Sequence, residues 1–342
     1  MQPVARTALG LYLEIRVIPV LLWSFTGITL GTALAWAEGA PQRLGHYLAA
    51  VAVGLLLQGV VAHTVNDVAD WRSGTDRDSA SRTISGGSGT LTGGYLRERD
   101  LVVACVVAIG LSAALGLMLA ASRGWWLIAF GAAGLVGAVL YTLPPVRLAY
   151  RPFAGEAVAL VCVWACGAGA YALQAGELTS RAALAATPHA AGCVAMLMVH
   201  HYLDRGPDSR ARPPKVTSVV RLGRRARRYA CAWGAAAVAL AVAVAVVADP
   251  AFAVLSAAAA VALAAHAGVA PDDPESVTRS ELVVIACGIV GGLGTAAVLA
   301  TPLVWTVPAA AALAAADLAV AGRVGAPRPE TLGAPQPRKS RS

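Results

Sequence analysis

Ten long apolar runs, separated by polar breaks, make up most of this chain of 342 residues. They fall near 17–36, 46–69, 101–121, 125–142, 155–175, 182–203, 229–248, 251–268, 281–300 and 304–321. About 18 consecutive apolar residues suffice to cross a bilayer as a helix, and most of the runs reach that length. The pattern predicts an all-α, polytopic membrane helical bundle. The eighth and tenth runs are short and rich in alanine. Residues 1–13 read as an interfacial lead-in, 14–321 as one membrane domain, and 322–342, rich in Pro, Arg and Gly, as a disordered basic tail. The first run is long enough to span and follows no charged leader, so no cleavable signal peptide is expected.

Charge refines the topology. Only 13% of the residues are charged, against roughly 25% in soluble domains. Cytoplasmic loops are enriched in Lys and Arg. With ten spans, one side keeps only Arg43, Arg123 and Arg181 of the 27 basic residues; a count of nine gives a less lopsided split. The expectation is an integral protein of the plasma membrane with both termini and the basic loops cytoplasmic. The net charge of +8 then reflects orientation and anionic lipid rather than nucleic acid, for which no soluble binding module exists here. The six cysteines all lie in apolar runs and form no CxxC pair or zinc signature.

Two acidic stretches interrupt this apolar background at helix ends. The first is Asn66-Asp67-Val68-Ala69-Asp70 and the second Asp204-Arg205-Gly206-Pro207-Asp208. Each is followed by a long loop, and both loops fall on the same side. Acids are disfavoured at helix C-termini and costly at a membrane boundary, so a compensating cation is expected. Asn66 and Asp70 have i, i+4 spacing and share a helix face, as Asp204 and Asp208 do; Asp67 can point to the same space. Pro207 suggests that the second helix is ending there. The expected metal set is Asn66, Asp67, Asp70, Asp204 and Asp208, holding Mg²⁺, which favours a few carboxylates with water and phosphate oxygens.

Basic and polar residues surround these acids. Arg72, Arg77 and Arg82 follow the first stretch, and Arg205, Arg210, Arg212 and Lys215 the second; arginine binds phosphate oxygens in pairs. Arg82-Thr83-Ile84-Ser85-Gly86-Gly87-Ser88-Gly89 offers backbone N–H groups to a ligand but lacks the P-loop pattern. Tyr141-Thr142-Leu143-Pro144-Pro145-Val146-Arg147 ends a helix on the same side. His63 and His200, three and four residues before Asn66 and Asp204, are candidates to line a cavity above the acids, with Gln58 and Thr64 as further polar lining.

At these residues the chain resembles the UbiA-type membrane prenyltransferase superfamily. The resemblance rests on Asn66-Asp67-x-x-Asp70 with Gly74 and Asp76, Arg82-Thr83-Ile84-Ser85-Gly86-Gly87, Tyr141-x-x-Pro144-Pro145-x-Arg147-Leu148, Asp204-x-x-x-Asp208, Lys215-x-Thr217 and Arg221-Leu222-Gly223. It covers about residues 14–300. It implies a bundle of usually nine spans around a central cavity, with two aspartate-rich motifs binding Mg²⁺ and an isoprenoid diphosphate. It further implies catalytic roles for Asp70, Asp204 and Tyr141, and diphosphate contacts from Arg16, Arg72, Arg82, Arg147 and Lys215. The chain departs from the family in its tenth span. It also departs from the branch that prenylates dihydroxynaphthoate, where paired asparagines and an arginine precede the second motif; His200-His201-Tyr202-Leu203 stand here.

The implied chemistry is ionisation of the diphosphate to an allylic cation and its capture by an electron-rich acceptor. Transfer to an aromatic or quinone precursor is the leading expectation. A membrane terpene cyclase of the same superfamily, which needs no acceptor, is the alternative. A transporter using the acidic helix ends is disfavoured, because its acids belong at the midplane.

Overall fold

From Pro3 to Val324 helix follows helix, with no β-strand among the described residues. The computed structural model describes residues 3–75 and 87–324. Eight helices are long and apolar enough to cross a membrane: Val4–Ala37, Leu44–Ser73, Glu98–Arg123, Ala154–Ala175, Ser180–His200, Ser218–Val247, Pro274–Leu299 and Thr301–Ala321. Two shorter apolar helices, Trp125–Leu140 and Phe252–Ala267, complete the set. Together they follow the ten predicted runs in order. The tenth run is of spanning length; the fourth is one of the two short ones. The basic tail expected from 322 lies almost wholly outside the described residues.

The lead-in is helix α1 (Pro3–Ile15), which runs on into the first span through a single break. Arg16 makes the break with a left-handed backbone, φ 50°. Such a conformation costs a non-glycine residue about 1–3 kcal/mol unless its surroundings hold it. They do so here: His63 Nδ1 donates to the Ile15 carbonyl at 3.0 Å, and the Arg16 guanidinium pairs with Asp67.

Helix α2 (Thr26–Ala37) packs on the later helix Ala154–Ala175. A Cβ on Gly31 would lie 2.0 Å from the Gly167 carbonyl oxygen, so only glycine permits this crossing. Gly167 is thus a packing residue. The chain then runs α3 (Leu44–Gly54), α4 (His63–Ser73), α5 (Glu98–Arg123), α6 (Ile128–Leu140), α7 (Ala154–Ala175) and α8 (Thr187–His200). After a short helix α9 (Arg205–Arg210) come α10 (Ala226–Val247), α11 (Phe252–Ala267), α12 (Pro274–Leu299) and α13 (Thr306–Val324). α8 packs on α7 and α10, α10 on α11, α11 on α12, and α12 returns to α2, which closes the bundle.

Two π-helical stretches, Leu21–Phe25 and Leu55–Ala62, face each other inside it. Gln58, from the second, bridges a gap in the first: its amide donates to the Pro19 carbonyl at 3.1 Å and its oxygen accepts the Ser24 N–H at 3.1 Å. Gln58 therefore carries structure as well as lining the cavity described next.

Candidate active site

Both acidic stretches lie where helices end. α4 carries Asn66, Asp67 and Asp70 and stops at Gly74, whose φ of 87° suits glycine alone. α8 stops at His200, and Asp204 then caps α9, whose first turn contains Pro207. The span has ended before Pro207, as expected, and Pro207 falls in the first turn of the next helix, where a missing N–H costs nothing. Asp208 N–H donates to the Asp204 carbonyl at 2.8 Å, so the i, i+4 relation holds across the proline. The chain beyond folds back, and Lys215 N–H donates to the Asp208 carbonyl at 2.9 Å.

Lys215 joins the two stretches. Its Nζ lies 3.1 Å from Asp70 Oδ2 and 3.8 Å from Asp208 Oδ1. Burial alone would lower its affinity for a proton, but the Asp70 and Asp208 carboxylates hold it well above the ordinary lysine value. Asp70 is also fixed by Asn66, whose amide donates to Oδ2 at 3.0 Å, and by the Tyr150 hydroxyl, which donates to Oδ1 at 3.3 Å. Asp208 is 1% exposed, and neither carboxyl oxygen accepts a hydrogen bond among the described residues. Burial pushes its carboxyl up to about 7; Lys215 opposes that, and Asp204 and Asp70 add to it. A carboxylate buried this way is short of positive charge and of donors.

Asn66, Asp70, Asp204, Asp208 and Lys215 line one end of a cavity of about 350 Å³. Arg16, His63, Tyr141 and His200 line it as well. Its walls are apolar and carry Gly131, Gly134, Gly137 and Gly169 from α6 and α7. The opposite end reaches Gly116 and Leu119 on α5 and Leu173 on α7, late in helices that run away from the acids or toward their far end.

Other expected residues are placed differently. Asp67 gives its carboxylate to Arg16 and to the N–H and hydroxyl of Ser88; it pins a loop rather than facing the cavity acids. Arg72 is exposed and pairs with Glu98, because the last turn of α4 points it outward; it is set apart from the cavity. Arg147 sits in a left-handed conformation with its guanidinium 5.4 Å from the centre of the Tyr150 ring, behind Asp70's partner. Arg77, Arg82, Asp76 and Asp78 lie outside the described residues. Among those described, no three His, Cys, Asp or Glu converge as a metal cluster; the Lys215 ammonium stands between Asp70 and Asp208.

Sequence reasoning passed over three groups. Tyr150 bonds Asp70. Glu14, 2% exposed, accepts from Ser88 and Thr90 at 2.8 Å each. Glu281, equally buried, accepts from His200. Both glutamates are acids inside apolar helices, a signal that could have singled them out.

Comparison with known proteins agrees with this architecture. The UbiA prenyltransferase family model matches residues 24–282. The 1,4-dihydroxy-2-naphthoate octaprenyltransferase of Escherichia coli K12 is 28% identical over 60% of this chain and 67% of its own length. That of Mycobacterium tuberculosis H37Rv is 32% identical over 57% of this chain and 64% of its own. The matched segment thus spans about two thirds of these relatives. Among solved structures, a UbiA homolog from Archaeoglobus fulgidus bound to GPP and Mg²⁺ superposes with a TM-score of 0.61 at 15% identity, covering 84% of this chain and 99% of that one. An apo UbiA homolog from Aeropyrum pernix K1 superposes at 0.58 with 17% identity, over 79% and 96%. The chain is an integral membrane protein and belongs to the UbiA prenyltransferase family.

Proposed function

We propose that the chain is a Mg²⁺-dependent prenyltransferase that ionises an isoprenoid diphosphate and passes the prenyl group to an aromatic, quinone-precursor acceptor. The observation that carries this reading is the Lys215 bridge between Asp70 and Asp208 at one end of an otherwise apolar cavity. One end is built for charge and the rest for hydrocarbon.

The residues present fit Mg²⁺. The oxygens of buried Asp208, which accept no hydrogen bond among the described residues, call for a cation closer than Lys215, and Asp70, Asp204 and Asn66 face the same space. Those four would hold it, with diphosphate oxygens and water completing its shell. When bound, it supplies positive charge that makes diphosphate a better leaving group. Lys215 and Arg16 add donors at that end. Tyr141 borders the space between the acids and the apolar wall. The wall holds the isoprenoid and keeps water from the allylic cation. The acceptor class is supported by the matched relatives, which are named for a dihydroxynaphthoate. The basic loops flanking the acids support a cytoplasmic setting for this end of the bundle, at the plasma membrane.

The test is product analysis by mass spectrometry. Purified protein in lipid nanodiscs receives Mg²⁺ and prenyl diphosphates of several lengths, with and without 1,4-dihydroxy-2-naphthoate. A prenylated naphthalene product is expected only when the acceptor is present. A cyclic hydrocarbon or alcohol formed without acceptor would replace this reading with the terpene cyclase.

A further inference from the structure

His200, on the cavity wall, pairs with Glu281 behind it, outside the metal and diphosphate set proposed above. His200 ends α8 and lines the cavity. Its Nδ1 donates to Glu281 Oε1 at 2.8 Å, and the Glu281 side chain is 2% exposed. An acid buried in an apolar helix is costly without a partner, and His200 supplies one. A carboxylate only accepts hydrogen bonds, so Nδ1 carries the hydrogen, and the neutral form of the ring is the tautomer with its lone pair on Nε2. Leu197, three residues earlier on the same helix face, lines the cavity beside it, and Trp23 packs on the cluster that contains Leu197. His200 thus stands next to an apolar, partly aromatic wall, one turn from Asp204.

Resting on the aromatic-acceptor reading, we propose that His200 accepts the hydroxyl proton of a phenolic acceptor and that Glu281 is its positioning residue. The hydroxyl proton passes to Nε2. A π pair of the acceptor ring forms the new C–C bond to C1 of the prenyl group while the C1–O pair leaves with diphosphate. Enolisation then moves the ring-carbon proton to oxygen, and the imidazolium returns its proton to water. One C–O bond is exchanged for one C–C bond and one proton is released. On that reading the acids and Lys215 serve the other substrate, and His200 serves the acceptor.

The experiment uses the full chain in nanodiscs with Mg²⁺ and geranylgeranyl diphosphate. Two acceptors are compared: 1,4-dihydroxy-2-naphthoate, and a ring-fluorinated analogue already ionised at the assay pH. His200→Gln is expected to lower kcat about a hundredfold with the first acceptor, the scale of a lost general base. With the ionised analogue it should stay near the wild-type rate, and KM for the diphosphate should not move. Glu281→Gln should show the same selective rescue with a smaller loss. Equal losses with both acceptors, or no loss with either, overturn the proposal. The two variants sit on different helices, so misfolding of one leaves the other to decide. Wild-type protein that prenylates neither acceptor overturns the acceptor reading beneath it, and is told apart because it fails before any variant is made.

Discussion

Lys215 Nζ stands 3.1 Å from Asp70 Oδ2 across 145 positions of sequence, and this ion pair ties the two acidic stretches together. Both side chains are buried, at 9% and 7% exposure. Removing one partner of such a pair strands the other charge, which costs about 3–5 kcal/mol. Lys215→Met should therefore lower stability by about that much in Mg²⁺-free buffer, read by denaturant unfolding in detergent. Adding Mg²⁺ with pyrophosphate should recover more stability in the variant than in the wild type, because the stranded acids gain a cation. Equal recovery in both would mean that the acids do not share a metal-diphosphate site.

Asp208 invites the opposite test. Its carboxyl oxygens are buried and accept no hydrogen bond among the described residues, with Lys215 no nearer than 3.8 Å, so in the metal-free protein the charge is a burden. Asp208→Asn should raise the unfolding midpoint of the metal-free protein. It should also cut turnover more than tenfold, a barrier increase above ~1.4 kcal/mol. A variant that loses both stability and activity would mark Asp208 as an ordinary structural acid.

These pairings show which parts of the molecule could be read from the chain. The ten helices followed from hydrophobicity, because a bilayer allows little else to cross it. That Asn66, Asp70, Asp204 and Asp208 border one space followed from their position at helix ends. Their contacts did not. Lys215 and Tyr150 reach Asp70 through folded loops, and only the family resemblance, not local spacing, separates Lys215 from the other basic residues after Asp204. Arg72 illustrates the reverse error: it follows Asp70 by two residues, but two residues on a helix is nearly the opposite face. Glu281 lies 81 residues from His200, and only the packing of α12 brings them together.

Arg16 and Arg72 make a paired prediction. Arg16 lines the cavity, holds Asp67 and sits at a strained break. Arg72 is 67% exposed and pairs with Glu98; such surface pairs contribute about 0–1 kcal/mol. Arg16→Ala should lower kcat/KM for the prenyl diphosphate by about a hundredfold, the scale of a lost charge-stabilising donor. Arg72→Ala should leave it within about twofold, since a surface pair is worth so little. Steady-state kinetics on both variants at saturating acceptor checks this, and comparable losses would return Arg72 to the diphosphate.

The glycines of the bundle divide into two kinds, and substitution should separate them. A Cβ at Gly31 would meet the Gly167 carbonyl oxygen at 2.0 Å, a backbone contact that cannot swing aside. Gly31→Ala should therefore push α2 from α7 and destabilise the protein by about 1–3 kcal/mol, the usual cost of overpacking. A Cβ at Gly131 meets nothing within 4 Å, and the residue borders the cavity wall. Gly131→Leu should fold normally, because its side chain enters empty space rather than a neighbour. That space is where an isoprenoid tail runs on this reading, so the variant should discriminate against longer prenyl diphosphates while retaining shorter ones. Competition between geranyl and longer diphosphates, with products resolved by mass, measures the shift. An unchanged length preference in a folded Gly131→Leu protein would place the tail elsewhere.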